Sequence, residues 1–245
     1  MQELFCHYFP EVSMKRMLSI ICGVLVSCSF AGMNADEKSI VREVLDSAGM
    51  VTVAEEDAVQ TDDAGWVTAL NLDNTSLDQH GMVMLASSVA KLKHLTGISL
   101  KNNNLDSVPA ILQRLPELTR LDLQNNNITT LPTWIGTFKK LIDLDIRYNK
   151  LTELPPELFL CTNLKVLKLW GNQLKTIPDN IKKLTMLKEL YLSHNKLTDL
   201  PLSITKVTSL RYLDITDNML CAPKPEIAAW LAKWDDKWKE KQKCR

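Results

Sequence analysis

Leucine and isoleucine recur with a fixed period of 23 residues through the middle of the chain. Counted from the leucine that begins each repeat, the fourth and sixth places are Leu or Ile, and mostly polar residues separate them. This strict alternation predicts a short β-strand with one buried face in every repeat. The six repeats begin at Leu95, Leu118, Leu141, Leu164, Leu187 and Leu210.

Two further places of the repeat carry residues with specific backbone chemistry. The ninth place is Asn in all six repeats, and an Asn amide can bond the backbone where the chain leaves the strand. The fifteenth place is Pro in five repeats, and a residue without an N–H excludes a regular hydrogen-bonded strand on the return arc. The residues are Asn103, Asn126, Asn149, Asn172, Asn195 and Asn218, with Pro109, Pro132, Pro155, Pro178 and Pro201.

This pattern resembles the leucine-rich repeat family over residues 65–220. The resemblance implies an α/β fold, a right-handed horseshoe-shaped solenoid with a parallel sheet on its concave side and 3₁₀ or irregular turns on its convex side. A degenerate repeat beginning at Val67, here called the entry repeat, precedes the six and has Thr75 in place of Asn. Helical spacing of apolar residues between Gly81 and Leu95 predicts a true helix on its outer side.

Both ends of a solenoid need a covering segment. Residues 29–64 are expected to form a tether and a helical cap that ends near Gly49, and residues 221–245 a second helical cap. A helix that starts at Pro225 would place Trp230, Trp234 and Trp238 on one side, which is typical of a stripe that covers core.

Residues 1–28 have the features of a signal segment, with translation expected to start at Met14. Lys15 and Arg16 precede an apolar run of about ten residues, too short to span a bilayer. Residues 25–28 resemble the lipobox of bacterial lipoproteins, which implies lipidation at Cys28 and a place at the outer membrane or cell surface. Ordinary cleavage after Ala31 would instead give a secreted protein. An uncleaved segment would give a cytosolic scaffold similar to Ras-interacting repeat proteins.

The charge balance, the cysteine spacing and the catalytic motifs that the sequence lacks bear on which classes of function to expect. The 29 basic and 29 acidic side chains balance, so charge gives no indication of a nucleic acid partner. The six cysteines lack zinc-ligand spacing and no catalytic motif is present, so neither a metal nor another cofactor is expected. Asp122 and Asp145 hold the same strand place in adjacent repeats, which leaves a glycan-processing enzyme as a weaker alternative.

The cysteines near the end of the chain predict a bridge. Cys221 follows the last repeat leucine and Cys244 is the penultimate residue, so a disulfide between them would clamp the cap onto the last repeat, loosely resembling the cysteine-bearing flanks of surface leucine-rich repeat proteins. Cys161 takes an apolar place of its repeat and is expected to be a buried free thiol.

The resemblance implies a non-enzymatic, monomeric recognition module whose concave sheet binds a protein or a glycan. Side chains at the third, fifth and seventh places should point onto that sheet, and those at the eighth place should flank it. Aromatic residues there have no core to fill, although they could instead stack across strands and stabilise the sheet. The expected binding residues are Asp145, Arg147, Tyr148, Lys168, Trp170, Glu189, Tyr191, His194, Tyr212 and Asp214.

Overall fold

A computed structural model describes residues 33–50 and 55–244 and contains one eight-stranded sheet in sequential order. The first pair is antiparallel, and every later pair is parallel and in register. The α/β leucine-rich repeat solenoid expected from the periodicity is therefore the observed fold. The strands are β1 (Val59–Thr61), β2 (Val67–Asn71), β3 (Gly97–Ser99), β4 (Arg120–Asp122), β5 (Asp143–Asp145), β6 (Val166–Lys168), β7 (Glu189–Tyr191) and β8 (Tyr212–Asp214).

Short 3₁₀ segments follow the repeated prolines on the convex side. Each proline has a φ between −59° and −72° and precedes the segment, because its fixed φ and missing N–H end the extended arc without the loss of a hydrogen bond. Leucines and isoleucines from both sides fill a continuous core between the strands and these segments. The segments are Ala110–Arg114, Thr133–Thr137, Pro156–Leu160, Asp179–Lys183 and Leu202–Lys206.

Three helices lie at the start of the described chain: α1 (Ala35–Ser47), α2 (Glu55–Ala58) and α3 (Gln79–Val89). Helix α1 forms the expected N-terminal cap; the Asn34 side chain accepts from the Asp36 N–H at its start, and its apolar face is buried against α3. Helix α3 is the helix predicted for the outer side of the entry repeat. The Asp78 side chain caps it by accepting from the Gly81 N–H at 2.8 Å.

The six buried ninth-place asparagines join neighbouring repeats. Asn149 is representative: its Nδ2 donates to the carbonyls of Leu123 at 2.9 Å and Ile146 at 3.3 Å, and its Oδ1 accepts from the Ile128 N–H at 2.9 Å. One side chain thus serves backbone groups of its own repeat and of the preceding one, and the ladder satisfies turns that are out of reach of water.

Thr75 replaces asparagine in the entry repeat for a geometric reason. Its hydroxyl donates to the Leu72 carbonyl at 2.9 Å, which is the bond that an Asn amide makes within its own repeat. Among the described residues no N–H bonds to the Thr75 hydroxyl, which serves its own repeat and lies 2.9 Å from Asn103 Oδ1 of the next one, so a hydroxyl suffices at this end of the ladder.

The N-terminal edge of the sheet carries a strand that the sequence analysis did not predict. Strand β1 pairs with β2 through a turn in which the Asp62 carboxylate accepts from the N–H groups of Ala64 and Trp66. Gly65 takes a φ of 81° in that turn. The buried Glu37 carboxylate accepts from the Val67 N–H at 2.6 Å, so helix α1 and strand β1 together close this end.

The C-terminal cap is less helical than predicted. The long helix expected from Pro225 was wrong: helix α4 covers only Pro225–Leu231, and a 3₁₀ segment, Trp238–Lys241, follows after turns. Asp235 causes the break, because its carboxylate accepts from the Lys237 N–H at 3.0 Å and from Lys241 Nζ at 2.6 Å. Trp230 and Trp234 still pack edge to face, and Trp238 is buried.

A disulfide joins Cys221 to Cys244, with a Cα–Cα distance of 5.5 Å. It returns the last residues of the chain to the final repeat, where the Asp217 N–H donates to the Lys241 carbonyl and the Lys243 N–H donates to the Asn218 carbonyl. Cys161 is a buried free thiol, and burial raises its pKa to about 11. Cys28 and the signal segment lie outside the described residues.

Candidate binding surface

The concave sheet changes character along the solenoid. Strands β2 and β3 present small or polar side chains there: Ala69, Asn71, Gly97 and Ser99. From β5 onward most of the same places hold charged or aromatic residues, and the parallel register puts them side by side. We name this half, from Asp143 to Asp217, the aromatic face.

An ion cluster forms the floor of the aromatic face. Arg147 Nε lies 2.8 and 2.9 Å from the two carboxylate oxygens of Asp145, and its Nη2 lies 2.6 Å from Oδ2. Lys168 Nζ lies 3.6 Å from both Asp143 and Asp145. The side-chain hydrogen bond to Asp145 raises the pKa of Arg147, so the guanidinium stays charged and held in place.

Asp145 differs from the other predicted binding residues because it is only 4% exposed. A carboxylate buried beneath Arg147 and Lys168 offers a partner little direct contact. Its role in this geometry is to orient the two cations whose outer surfaces remain accessible.

Two aromatic groups lie on this floor. Tyr148 and Trp170 have ring centroids 4.8 Å apart, and Trp170 meets His194 edge to face at 5.9 Å. The Arg147 guanidinium carbon lies 5.8 Å from the Trp170 ring, within the range of a cation–π contact. Among the described residues, Trp170 Nε1 has no hydrogen-bond partner.

Tyr191 and Tyr212 form the second group, with ring centroids 4.8 Å apart. The Tyr191 hydroxyl donates to Glu189 Oε2 at 2.9 Å, and burial together with this bond raises the pKa of Tyr191 to about 12. Glu189 therefore fixes the phenol, whereas Tyr212 is 46% exposed at the end of the sheet. Asp214 lies beside it and accepts from the Thr216 N–H and hydroxyl.

The eighth place of every repeat has a left-handed backbone, with φ between 52° and 70°. Asn, Asp and Gly tolerate this conformation and His is also enriched in it, whereas other residues are disfavoured there by about 1–2 kcal/mol. Repeats 1 and 2 use Asn102 and Asn125, whose side chains bond one another at 2.8 Å. Tyr148 takes the same place in repeat 3 despite this cost, and His194 takes it in repeat 5.

Gly171 explains how the Tyr148 ring fits. A Cβ at Gly171 would lie 2.8 Å from Tyr148 Cδ1, so the ring rests where only a glycine backbone leaves room. His194 is fixed from the other side, with Nε2 3.2 Å from Asp217 Oδ2. Tyr148 thus keeps a disfavoured backbone conformation, and both side chains are held by residues of neighbouring repeats. The eighth-place departures from Asn were the sequence signal for this feature.

Asp122 and Asp145 are neighbours across β4 and β5, as expected. Burial raises the pKa of Asp122, whereas Asp145 lies within ion-pair distance of Arg147 and Lys168. This geometry favours an ion cluster over an acid–base pair. In the portion of the chain with described coordinates, no group of three or more His, Cys, Asp or Glu side chains is placed to hold a metal ion.

Family models agree with the periodicity. A leucine rich repeat model matches residues 116–174 and 162–220, and a model of two leucine rich repeat copies matches residues 93–136. The chain belongs to the leucine-rich repeat family. This leucine-rich repeat protein has no significant match among curated proteins.

Solved structures add two informative neighbours. A leucine-rich repeat protein of Leptospira interrogans is 28% identical with a TM-score of 0.61, and the match covers 78% of this chain and 48% of that one. The ectodomain of the Arabidopsis thaliana membrane receptor kinase GASSHO1/SCHENGEN3, in complex with CASPARIAN STRIP INTEGRITY FACTOR 2, is 33% identical with a TM-score of 0.52 and coverage of 58% and 18%. The chain thus spans about half the Leptospira structure and a smaller part of the plant one.

Proposed function

We propose that this leucine-rich repeat protein is a monomeric recognition module that binds a protein partner on its aromatic face. The observation that carries the proposal is the pair of seated, exposed rings at Tyr148 and His194, which occupy a backbone conformation that repeats 1 and 2 give to asparagine. Trp170 lies between them and Arg147 lies over it. Trp, Tyr and Arg are the residues that dominate binding energy at protein interfaces.

The family and its neighbours support a binding role. The plant receptor ectodomain was solved with CASPARIAN STRIP INTEGRITY FACTOR 2 bound, and leucine-rich repeat modules typically mediate protein binding. A glycan is the alternative ligand, because the exposed Tyr148 ring, beside Trp170, can stack on a sugar ring.

We further propose that the protein is exported and anchored through lipid at Cys28, at a bacterial outer membrane or cell surface. The Cys221–Cys244 disulfide supports export, since disulfides persist in oxidising compartments. The bacterial neighbour from Leptospira fits the same setting. Among the residues described, no helix is both long and apolar enough to cross a membrane. The cytosolic scaffold alternative has no comparable support from the disulfide.

Photocrosslinking from the eighth place tests the binding proposal. The full chain carrying p-benzoylphenylalanine at Tyr148 should give a discrete adduct on its host cells, whereas the same probe at Asn102, the matched place in repeat 1, should not. Adding Trp170→Ala should remove the adduct while the melting temperature stays within a few degrees. Equal adducts from both places, or loss of folding in the Trp170 variant, would contradict the proposal. Protease or glycosidase sensitivity of the adduct separates a protein from a glycan ligand.

Labelling with palmitate tests the anchor separately. The wild-type chain should take up label and partition into detergent, and Cys28→Ala should do neither. A wild-type chain that stays unlabelled and remains in the aqueous phase would refute the lipid anchor, and it would not affect the proposal that the aromatic face binds a partner.

A further inference from the structure

The last strand of the sheet is not fully paired on its outer edge. In the inner repeats, the sixth- and eighth-place N–H groups donate to carbonyls of the next strand, as Leu192 does to Asp214 at 2.7 Å and His194 to Thr216 at 2.9 Å. In repeat 6 the eighth-place N–H of Asp217 donates to the Lys241 carbonyl at 2.8 Å. The sixth-place N–H of Ile215 has no hydrogen-bond partner within residues 33–50 and 55–244. The terminal segment therefore supplies the partner of the Asp217 N–H that a further strand would give, and it leaves the Ile215 N–H unpaired.

A slot of about 330 Å³ lies beside this open rung, between β8 and the C-terminal cap. Leu213 forms part of its floor and is only partly buried, whereas the fourth-place residues of the other repeats are at most 2% exposed. Its walls combine aromatic and apolar side chains with polar ones; the aromatic and apolar side chains are Tyr212, Leu231, Trp234 and Trp238. An edge strand that lacks a neighbour exposes both an unpaired backbone N–H, here that of Ile215, and a side chain that would otherwise be buried, here Leu213.

Gln242 supplies a second unsatisfied group to the slot. Its Nε2 donates to the carbonyls of Ile215 at 3.2 Å and Trp238 at 3.1 Å, so its orientation is fixed. Its Oε1 is buried and has no partner among the described residues. The slot thus offers a backbone donor at Ile215 and an amide acceptor at Gln242, the two kinds of group that an extended peptide backbone satisfies together.

We propose that this slot binds an extended peptide segment of a partner protein as a ninth strand of the sheet. Side chains of such a strand alternate, so an apolar residue covers Leu213 and Leu231 while its neighbours point to the concave side. Asp214 lies on that side, and Asp235 stands on the opposite wall beside Lys241. Carboxylates therefore outnumber cations two to one in the slot lining, which favours basic residues flanking the apolar one.

A second copy of this chain is a poor occupant for steric reasons. The terminal segment, held by the Cys221–Cys244 disulfide, walls the edge with Trp234 and Trp238. Two folded copies that tried to pair their β8 edges would bring these walls into collision. A single extended chain passes between the wall and the strand. The site shares Tyr212 and Asp214 with the end of the aromatic face, but its argument rests on the open strand edge and does not depend on the proposed function.

Amide hydrogen exchange of Ile215 in the disulfide-intact chain tests the proposal. The probe is the capped peptide acetyl-Lys-Leu-Lys-Val-Lys-amide; its controls are the same peptide with Glu for Lys and one with N-methylated Leu and Val. Without peptide, Ile215 should exchange faster than Leu192, its equivalent in repeat 5. The lysine peptide should slow Ile215 by roughly tenfold or more, the glutamate peptide should bind more weakly, and the N-methylated peptide should give no protection.

Matched variants separate charge from general damage. Asp214→Asn should weaken the lysine peptide by roughly threefold, the range of an exposed ion pair, whereas Asp122→Asn at the same place of repeat 2 should have no effect. Absence of protection at millimolar lysine peptide would overturn the proposal. So would equal binding of the N-methylated peptide, or Ile215 protection that rises with protein concentration alone, which would assign the slot to a second copy.

Discussion

Replacing Asn149 by Ala should reveal what one rung of the asparagine ladder contributes to stability. Removing the side chain takes away the only acceptor recorded for the Ile128 N–H. The carbonyls are affected less, because neighbouring asparagines share them: Leu123 O still accepts from Asn126 at 3.1 Å and Ile146 O from Asn172 at 2.9 Å. The substitution therefore leaves one buried N–H without an acceptor, three carbonyls (Leu123, Ile146 and Arg147) with one partner fewer, and a small cavity.

These lost hydrogen bonds determine how much the free energy of unfolding should fall. A buried donor left without a partner costs about 1–3 kcal/mol, and each lost carbonyl bond adds a fraction of about 1 kcal/mol because the carbonyl keeps another partner. We expect Asn149→Ala to lower the free energy of unfolding by about 3 kcal/mol. The same change at Asn125, an exposed eighth-place residue bonded only to Asn102 by its side chain, should cost about 1–2 kcal/mol, because alanine is disfavoured in its left-handed backbone conformation.

Urea denaturation followed by circular dichroism measures both values. Asn149→Asp is an informative third variant: its carboxylate can still accept from Ile128 but cannot donate to the carbonyls, so it should lose stability and lose more as the pH rises and the group ionises. A loss below about 1 kcal/mol for Asn149→Ala, or equal losses at Asn149 and Asn125, would refute the ladder as the source of turn stability.

Three further outcomes follow from the structure. Burial raises the pKa of Asp122, so the folded state binds this proton more tightly than the unfolded chain and loses stability as the pH rises through the folded pKa. Asp122→Asn should therefore be slightly more stable than wild type at pH 7 and equal to it in acid. The urea midpoint at each pH measures the difference. Cys161, with a pKa of about 11, should resist iodoacetamide at pH 8 in the folded protein and be alkylated in urea, as mass spectrometry of its peptide would show; alkylation in the folded protein would contradict its burial. Changing both Cys221 and Cys244 to Ser should lower stability by about 3 kcal/mol and expose the Trp238 indole to a fluorescence quencher, and an unchanged melting curve would mean that the cap holds without the bridge.

The repeated part of the fold could be read from the sequence because each of its physical requirements recurs. Alternating leucines, a ninth-place Asn and a fifteenth-place Pro each point to the same strand, turn and arc, and six copies in register remove the ambiguity that one copy would leave. The positions of Cys221 and Cys244 predicted the disulfide, and the helical spacing of apolar residues predicted the helix of the entry repeat. The three-residue strand β1 had no comparable signal, because its residues, Val59–Thr61, show too little alternation to indicate a strand.

The C-terminal cap shows where periodicity misleads. Tryptophans at every fourth place favoured one long helix, but Asp235 bonds the local backbone and ends the helical pattern, and Trp238 reaches the core from a 3₁₀ turn instead. Similarly, alternation correctly put Asp145 on the concave strand face but could not show that two cations would bury it. Contacts between side chains of different repeats decide such details, and no single segment contains them.

The two ends of the sheet show how edge protection and binding capacity are related in this solenoid. At the N-terminal edge, β1 pairs with β2 and Glu37 accepts from the Val67 N–H, so the backbone of β2 is engaged and the three-residue strand β1 forms the edge. At the C-terminal edge, the terminal segment bonds Asp217, Asn218 and the Ile215 carbonyl, but the Ile215 N–H has no partner among the described residues. An exposed strand edge is a liability that proteins usually cover, and here a disulfide-held wall narrows the gap without filling it. In our proposal, the terminal segment leaves room beside β8 for one extended peptide but not for the edge strand of a second folded copy. The unpaired Ile215 N–H is then a binding position for a peptide instead of a site of aggregation.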